Sequence, residues 1–145
     1  MKQSQPLRIE YPDLASLITV KTIQGRLWFV NNRALEERIL GYYAKYVEKF
    51  EVTTYGIVLH GSHSHHLTMF PNCNRAHFER DFNARTAEAV RALVPEFGSG
   101  PLFARRYAEN PLGLPSDLED YFLYCALQPV LAGLCKRIGE YPGYN

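Results

Sequence analysis

The sequence predicts an α+β sandwich built on one antiparallel sheet, and three observations carry that expectation. Segments dominated by β-branched and apolar residues occur at 17–23 and 52–60, and 63–70, between a Gly-Ser turn and Pro71, reads as the next strand. Two longer stretches, 34–50 and 74–93, place apolar residues at helical spacing. With a further candidate strand at 102–107, the order is β-α-β-β-α-β, followed by a third helix.

Residues 1–16 are polar, are punctuated by Pro6 and Pro12, and read as an N-terminal arm. Leu17-Ile18-Thr19-Val20-Lys21-Thr22-Ile23 is the first strand, because branched β-carbons suit a pleated surface. Gln24-Gly25 breaks it. Asn31-Asn32 offers the N-cap of the first helix. Along that helix Leu35, Ile39, Tyr42, Tyr43, Tyr46, Val47 and Phe50 fall at amphipathic spacing. Residues 52–60 are nearly all apolar or branched, as in a central strand covered on both faces. Gly61-Ser62 turns the chain into 63–70, which Pro71-Asn72 ends. Phe78, Phe82, Ala89, Val90 and Leu93 stripe the second helix. Ser116 as N-cap and Glu119 at N3 form a capping box for the third helix. That helix runs to about Leu127, and Pro129 kinks or ends it. The whole is a ferredoxin-like β-α-β-β-α-β sandwich with helices on one face of the sheet, plus a C-terminal helix.

Composition bounds the function. The 145 residues make one domain, 1–145, large enough to fold without staples. At 46% hydrophobic and 21% charged, the chain is not of the disordered class. Lys plus Arg is 16 against 15 Asp plus Glu, which excludes a broad electrostatic glue for duplex DNA or membranes but not a local basic groove. No apolar run reaches the ~18 residues of a membrane span, and residues 1–6 lack an apolar signal core. Three cysteines at irregular spacing are not a disulfide framework, so the expected compartment is a reducing cytoplasm.

Two local patterns carry chemistry. Four of the five histidines fall between His60 and His66. Strand periodicity points His63 and His65 one way and His66 the other. Two neutral imidazoles on a rigid strand can converge on one cation, with oxygens completing its shell: Mn, Mg or Zn. Such a cation activates a phosphate or a carbonyl. The bland alternative is a strand end with incidental histidines. His60 and His66 read as structural, and Cys73 lies past the strand. In the third helix, Tyr124 and Gln128 are one turn apart and share a face. The phenol is a competent nucleophile when activated, and the amide oxygen is a neutral metal ligand. An aromatic stripe that is simply core is the competing reading, and Tyr121 and Phe122 are assigned to it.

In combination the two patterns resemble the HUH tyrosine class of single-strand DNA transposases, most closely the REP-associated tyrosine transposase branch. The strand reads Gly61-Ser62-His63-Ser64-His65-His66-Leu67, against the family's His-hydrophobic-His. The helix reads Tyr124-Cys125-Ala126-Leu127-Gln128-Pro129-Val130, against a Tyr, three residues, Asn or Gln, Pro and Val. Arg105-Arg106-Tyr107 resembles the segment that precedes this helix in the family, and Tyr141-Pro142-Gly143-Tyr144-Asn145 resembles its Trp/Tyr-Pro close. The likeness runs from about Tyr11 to Asn145. Ser62, Ser64 and His66 depart from the usual residues, as does Leu17, where many REP-associated members carry His.

The resemblance implies a set of roles. Tyr124 is the nucleophile, and His63, His65 and Gln128 hold one divalent cation, Mg or Mn. Single-stranded DNA beside a hairpin is nicked and rejoined through a 5′-phosphotyrosine link, with no nucleotide cofactor. Arg105, Arg106 and Tyr107 contact the DNA through charge and stacking. The setting would be a prokaryotic-type cytoplasm with nucleoid association, and the resemblance leaves monomer or homodimer open. Two other functions compete: a non-cleaving DNA- or RNA-binding domain of the same fold, and a metal-dependent hydrolase that works through water.

Overall fold

The computed structural model describes residues 8–141. The sequence readings on 1–7, part of the N-terminal arm, and on 142–145, within the closing Tyr-Pro segment, lie outside the described residues. Seven main elements follow in order. They are β1 (Ala15–Lys21), α1 (Arg33–Lys49), β2 (Thr53–Leu59), β3 (His63–Met69), α2 (Arg75–Leu93), β4 (Ala108–Pro111) and α3 (Pro115–Leu131).

The four strands form one sheet in the order β2-β3-β1-β4, with every neighbouring pair antiparallel. This is the ferredoxin-like arrangement, an α+β fold. β1 and β3 are the inner strands. Ile18 and Val20 of β1, with Ile57 and Leu59 of β2, face α1 and α2 and bury the larger core around Phe78, Phe82 and Leu35. The opposite face carries a smaller core: Ala15, Leu17, Val58, Leu67, Leu112 and Cys125 of α3. The molecule thus has three layers, α1 and α2, then the sheet, then α3. The sequence expectation of helices on one face holds for α1 and α2 only.

Local rules account for the elements. Asn32 caps α1: its side-chain oxygen accepts from the Leu35 N–H at 3.0 Å. Leu35, Ile39, Tyr43 and Tyr46 of α1 are buried, as their spacing requires. Across α1, α2 and the sheet runs a polar chain in the core. Tyr43 Oη lies 2.8 Å from both Thr54 Oγ1 and Thr68 Oγ1, and Thr68 Oγ1 lies 2.8 Å from His66 Nδ1. His66 Nε2 is 2.9 Å from Glu79 Oε1. His66 is structural, as expected.

Four sequence expectations are corrected. β2 is an edge strand rather than a central one. Only its second half, Ile57 to Leu59, is buried, and a register shift between Thr54 and Gly56 disrupts the ladder near its exposed start. The fourth strand lies at Ala108–Pro111 rather than at 102–107, where a single bridge joins Phe103 to Thr22. Leu102 and Tyr107 look strand-like because they are buried, but they plug the core from a loop. α3 starts at Pro115, before the expected cap. Asp117, not Glu119, closes back, accepting from the Leu114 N–H at 3.0 Å. Pro129 sits inside α3, which continues to Leu131. Among the described residues no helix is long and apolar enough to cross a membrane.

Candidate active site

β3 alternates its side chains between the two faces. Ser64, His66 and Thr68 enter the main core, while His63, His65 and Leu67 face α3. The rings of His63 and His65 are 4.7 Å apart and nearly perpendicular. Each has its Nδ1 near a hydroxyl. Thr19 Oγ1, on the adjacent β1, is 2.8 Å from His65 Nδ1, and Ser62 Oγ is 3.4 Å from His63 Nδ1. Nε2 is the nitrogen that remains on each ring.

Both imidazoles are held neutral. Burial, reinforced by the neighbouring histidines and Lys21, pushes the pKa of His63 down to about 4 and that of His65 down to about 3. A metal ligand must be neutral, so the environment suits that use.

α3 packs over this pair. Asn110 of β4 donates to Tyr121 Oη at 3.0 Å and ties the helix to the sheet edge. One turn along, the Tyr124 ring lies 6.0 Å from the His65 ring and 6.0 Å from that of Tyr121. Tyr124 is 43% exposed, so its side chain is open to solvent. Gln128, one turn further, is half-buried on the same face. Among the described residues its side chain makes no hydrogen bond to either histidine. Phe122, assigned to the core from sequence, is instead exposed on the outer side of α3, while Tyr121 packs against the smaller core.

His60 joins the cluster, which its structural reading missed. Its ring stacks on that of His63 at 4.6 Å and 3°. Its Nε2 is buried without a hydrogen-bond partner. The signal was present in the sequence. His60 and His63 flank the two-residue turn Gly61-Ser62 and are therefore cross-strand neighbours, joined by the His60 N–H to the His63 carbonyl at 2.7 Å. Tyr141 leans over the same end, its ring 6.4 Å from His60 and its hydroxyl donating to the Leu59 carbonyl.

The donor set fits a divalent cation in one specific sense. Two neutral imidazoles are oriented through Nδ1, with an amide one helical turn beyond the phenol. Among the described residues no group of three His, Cys, Asp or Glu side chains is placed to hold a metal. Oxygens of Gln128, water or substrate would therefore complete the shell.

Arg105, Arg106 and Tyr107 lie elsewhere. The two arginines are exposed and line, with Arg80 and Asn83, a groove of about 380 Å³ on the α2 side of the sheet. Tyr107 is 6% exposed. Arg8 covers its ring at 4.3 Å, and its hydroxyl accepts from Arg75 Nε at 3.3 Å. Its face is therefore closed to a nucleobase, which corrects the expectation that it stacks on DNA.

An antiparallel β2-β3-β1-β4 sheet with α1 and α2 on one face and α3 on the other is a fold seen in solved structures of transposases. The chain superposes on the solved structure of a REP-associated tyrosine transposase bound to a REP hairpin. The TM-score is 0.79 at 15% identity, over 98% of this chain and 82% of that one. It also superposes on the crystal structure described as a putative transposase from Deinococcus radiodurans R1, with TM-score 0.57 at 11% identity, over 86% of this chain and 97% of that one. No family model matches the chain, and no curated protein matches it in sequence. The fold is that of a REP-associated tyrosine transposase.

Proposed function

We propose that the protein nicks and rejoins single-stranded DNA beside hairpins, with Tyr124 as the nucleophile. The observation that carries this reading is the exposed Tyr124 ring 6.0 Å from His65, itself 4.7 Å from His63 on the same face. His63, His65 and Gln128 would hold one Mg or Mn ion. When bound, that ion supplies polarisation of the scissile phosphate and neutralises its developing charge.

The protein's own part follows from the residues. The Tyr124 phenolic oxygen forms a bond to phosphorus while the bond to the 3′ oxygen breaks. The phenol proton leaves to solvent, and the 3′ oxygen ends as a hydroxyl. The phosphodiester energy stays in the phosphotyrosine link, so a second 3′-hydroxyl can reverse the step without a nucleotide cofactor. Thr19 and Ser62 orient the imidazoles through Nδ1. Arg105 and Arg106, across the sheet, supply charge to the DNA away from the cut. The hairpin-bound state of the similar transposase supports a DNA hairpin as the partner.

The test is a denaturing gel for a DNA–protein adduct, using labelled hairpin oligonucleotides with Mn or Mg. The adduct should be lost with EDTA, with Tyr124→Phe and with His63→Ala, while Tyr124→Phe keeps its hairpin binding. Hairpin binding with no adduct in any metal would leave a non-cleaving binder. Cleavage that survives Tyr124→Phe would point to hydrolysis by water.

A further inference from the structure

His63 and His65 are supported unequally. The torsion that turns an imidazole about its stem is soft, so the ring keeps one orientation only where its neighbours impose it. Thr19 Oγ1 imposes it on His65 from 2.8 Å. The Ser62 hydroxyl lies 3.4 Å from His63 Nδ1, at the outer limit of a hydrogen bond, and it belongs to the adjacent residue. That contact is a weak restraint on the His63 ring.

His60 supplies a stronger one. Its ring lies parallel to that of His63, with 3° between the planes and 4.6 Å between the centroids, in the range of an offset stack. The backbone beneath it is pinned. His60 N–H donates to the His63 carbonyl at 2.7 Å, and the Thr22 N–H and hydroxyl donate to the Ser62 carbonyl at 2.9 and 3.0 Å. A β-carbon at Gly61 would meet Val30 Cγ2 at 2.6 Å and Leu27 Cδ2 at 2.8 Å, so the turn is pressed against the segment before α1. Tyr141 covers the same end, its ring 6.4 Å from that of His60. His60 is therefore a fixed surface against which His63 rests.

The polar atoms of His60 do not account for its presence. It is 4% exposed, and its Nε2 is buried with no hydrogen-bond partner among the described residues. A buried imidazole that serves the fold ordinarily gives such a nitrogen a partner. Nor does His60 complete a ligand set, because among the described residues no three His, Cys, Asp or Glu side chains are placed to hold a metal. What it offers His63 is a flat face.

We infer that His60 is a positioning residue whose ring face locks the His63 imidazole in its metal-binding orientation. The inference rests on the metal-assisted nicking reading above. A ring locked before the cation arrives has less rotational freedom to lose when it binds. His60 thus does for His63 by packing what Thr19 does for His65 by a hydrogen bond.

The test is calorimetric titration of Mn into the DNA-free chain, comparing the wild type with His60→Phe and His60→Leu. Phe keeps a flat ring and drops both nitrogens, whereas Leu keeps apolar bulk and drops the plane. His60→Leu should bind Mn about tenfold more weakly, as for other losses of a ligand's support. His60→Phe should match the wild type. Melting temperatures in EDTA check the fold, and His60→Met, unbranched and of similar bulk, replaces the Leu variant if that one is unstable. Equal affinity in all three proteins overturns the inference and leaves the nicking reading standing. So does an equal loss in the Phe and Leu variants, which would make a nitrogen of His60 the working part and not its face. A wild type that binds Mn no better than His63→Ala overturns both.

Discussion

Thr19 Oγ1 and His65 Nδ1 lie 2.8 Å apart across the β1–β3 ladder, where the two residues are register partners. The contact fixes the His65 ring from a neighbouring strand and directs its other nitrogen away from β1. The hydroxyl is therefore part of the machinery that would present an imidazole to a cation.

Thr19→Val keeps the shape and removes the oxygen. The variant should bind Mn about 10- to 100-fold more weakly, the usual cost of losing such a support. Calorimetric titration of both proteins reads the difference. Equal affinities would separate Thr19 from the site.

The depressed histidines make stability depend on pH. His63 and His65 titrate at about 4 and about 3 in the folded chain, against 6.5 when unfolded. Between those values the unfolded chain holds protons that the folded chain refuses. The contribution is complete above pH 6.5 and is lost as pH falls toward 4 and then 3. Without added metal, the melting temperature should drop on acidification through this window. A His63→Asn, His65→Asn double variant should show a shallower slope in the same scans.

The buried His66–Glu79 pair is expected to punish single substitutions. Both side chains are essentially unexposed, and Asn83 also donates to Glu79 at 3.1 Å. Glu79→Leu alone should cost about 3–5 kcal/mol in urea unfolding, because it strands the partner. Adding His66→Leu should recover a large part of that loss. Additive losses would show that the two side chains act independently.

Asn32 does two jobs, capping α1 and donating to the Leu93 carbonyl at the end of α2 at 3.1 Å. Asn32→Ala should cost about 1–2 kcal/mol. Asn32→Asp keeps the cap acceptor but not the donor, so it should fall between the two in thermal melts.

Much of this protein was legible residue by residue. Strand alternation alone placed His63 and His65 on one face and His66 on the other, and helical spacing alone placed Tyr124 and Gln128 on one side of α3. Asn32 as cap and Leu35, Ile39, Tyr43 and Tyr46 as core followed from the same periodicities. These are properties of single elements, set by covalent geometry and local hydrogen bonding. What each face meets is a different matter. That β2 lies at an edge, that α3 covers the face opposite α1 and α2, and that Tyr107 is sealed beneath Arg8 depend on which distant surfaces close on one another. Burial makes a loop residue such as Leu102 look like part of a strand, because an apolar side chain reports the need for cover and not the hydrogen bonds of its backbone. The sequence by itself determined which side chains share a face of each element. Only the tertiary structure decided that Tyr124 of α3 comes to lie beside His65 and that Tyr141 leans over His60, because chain closure over many residues sets those neighbours.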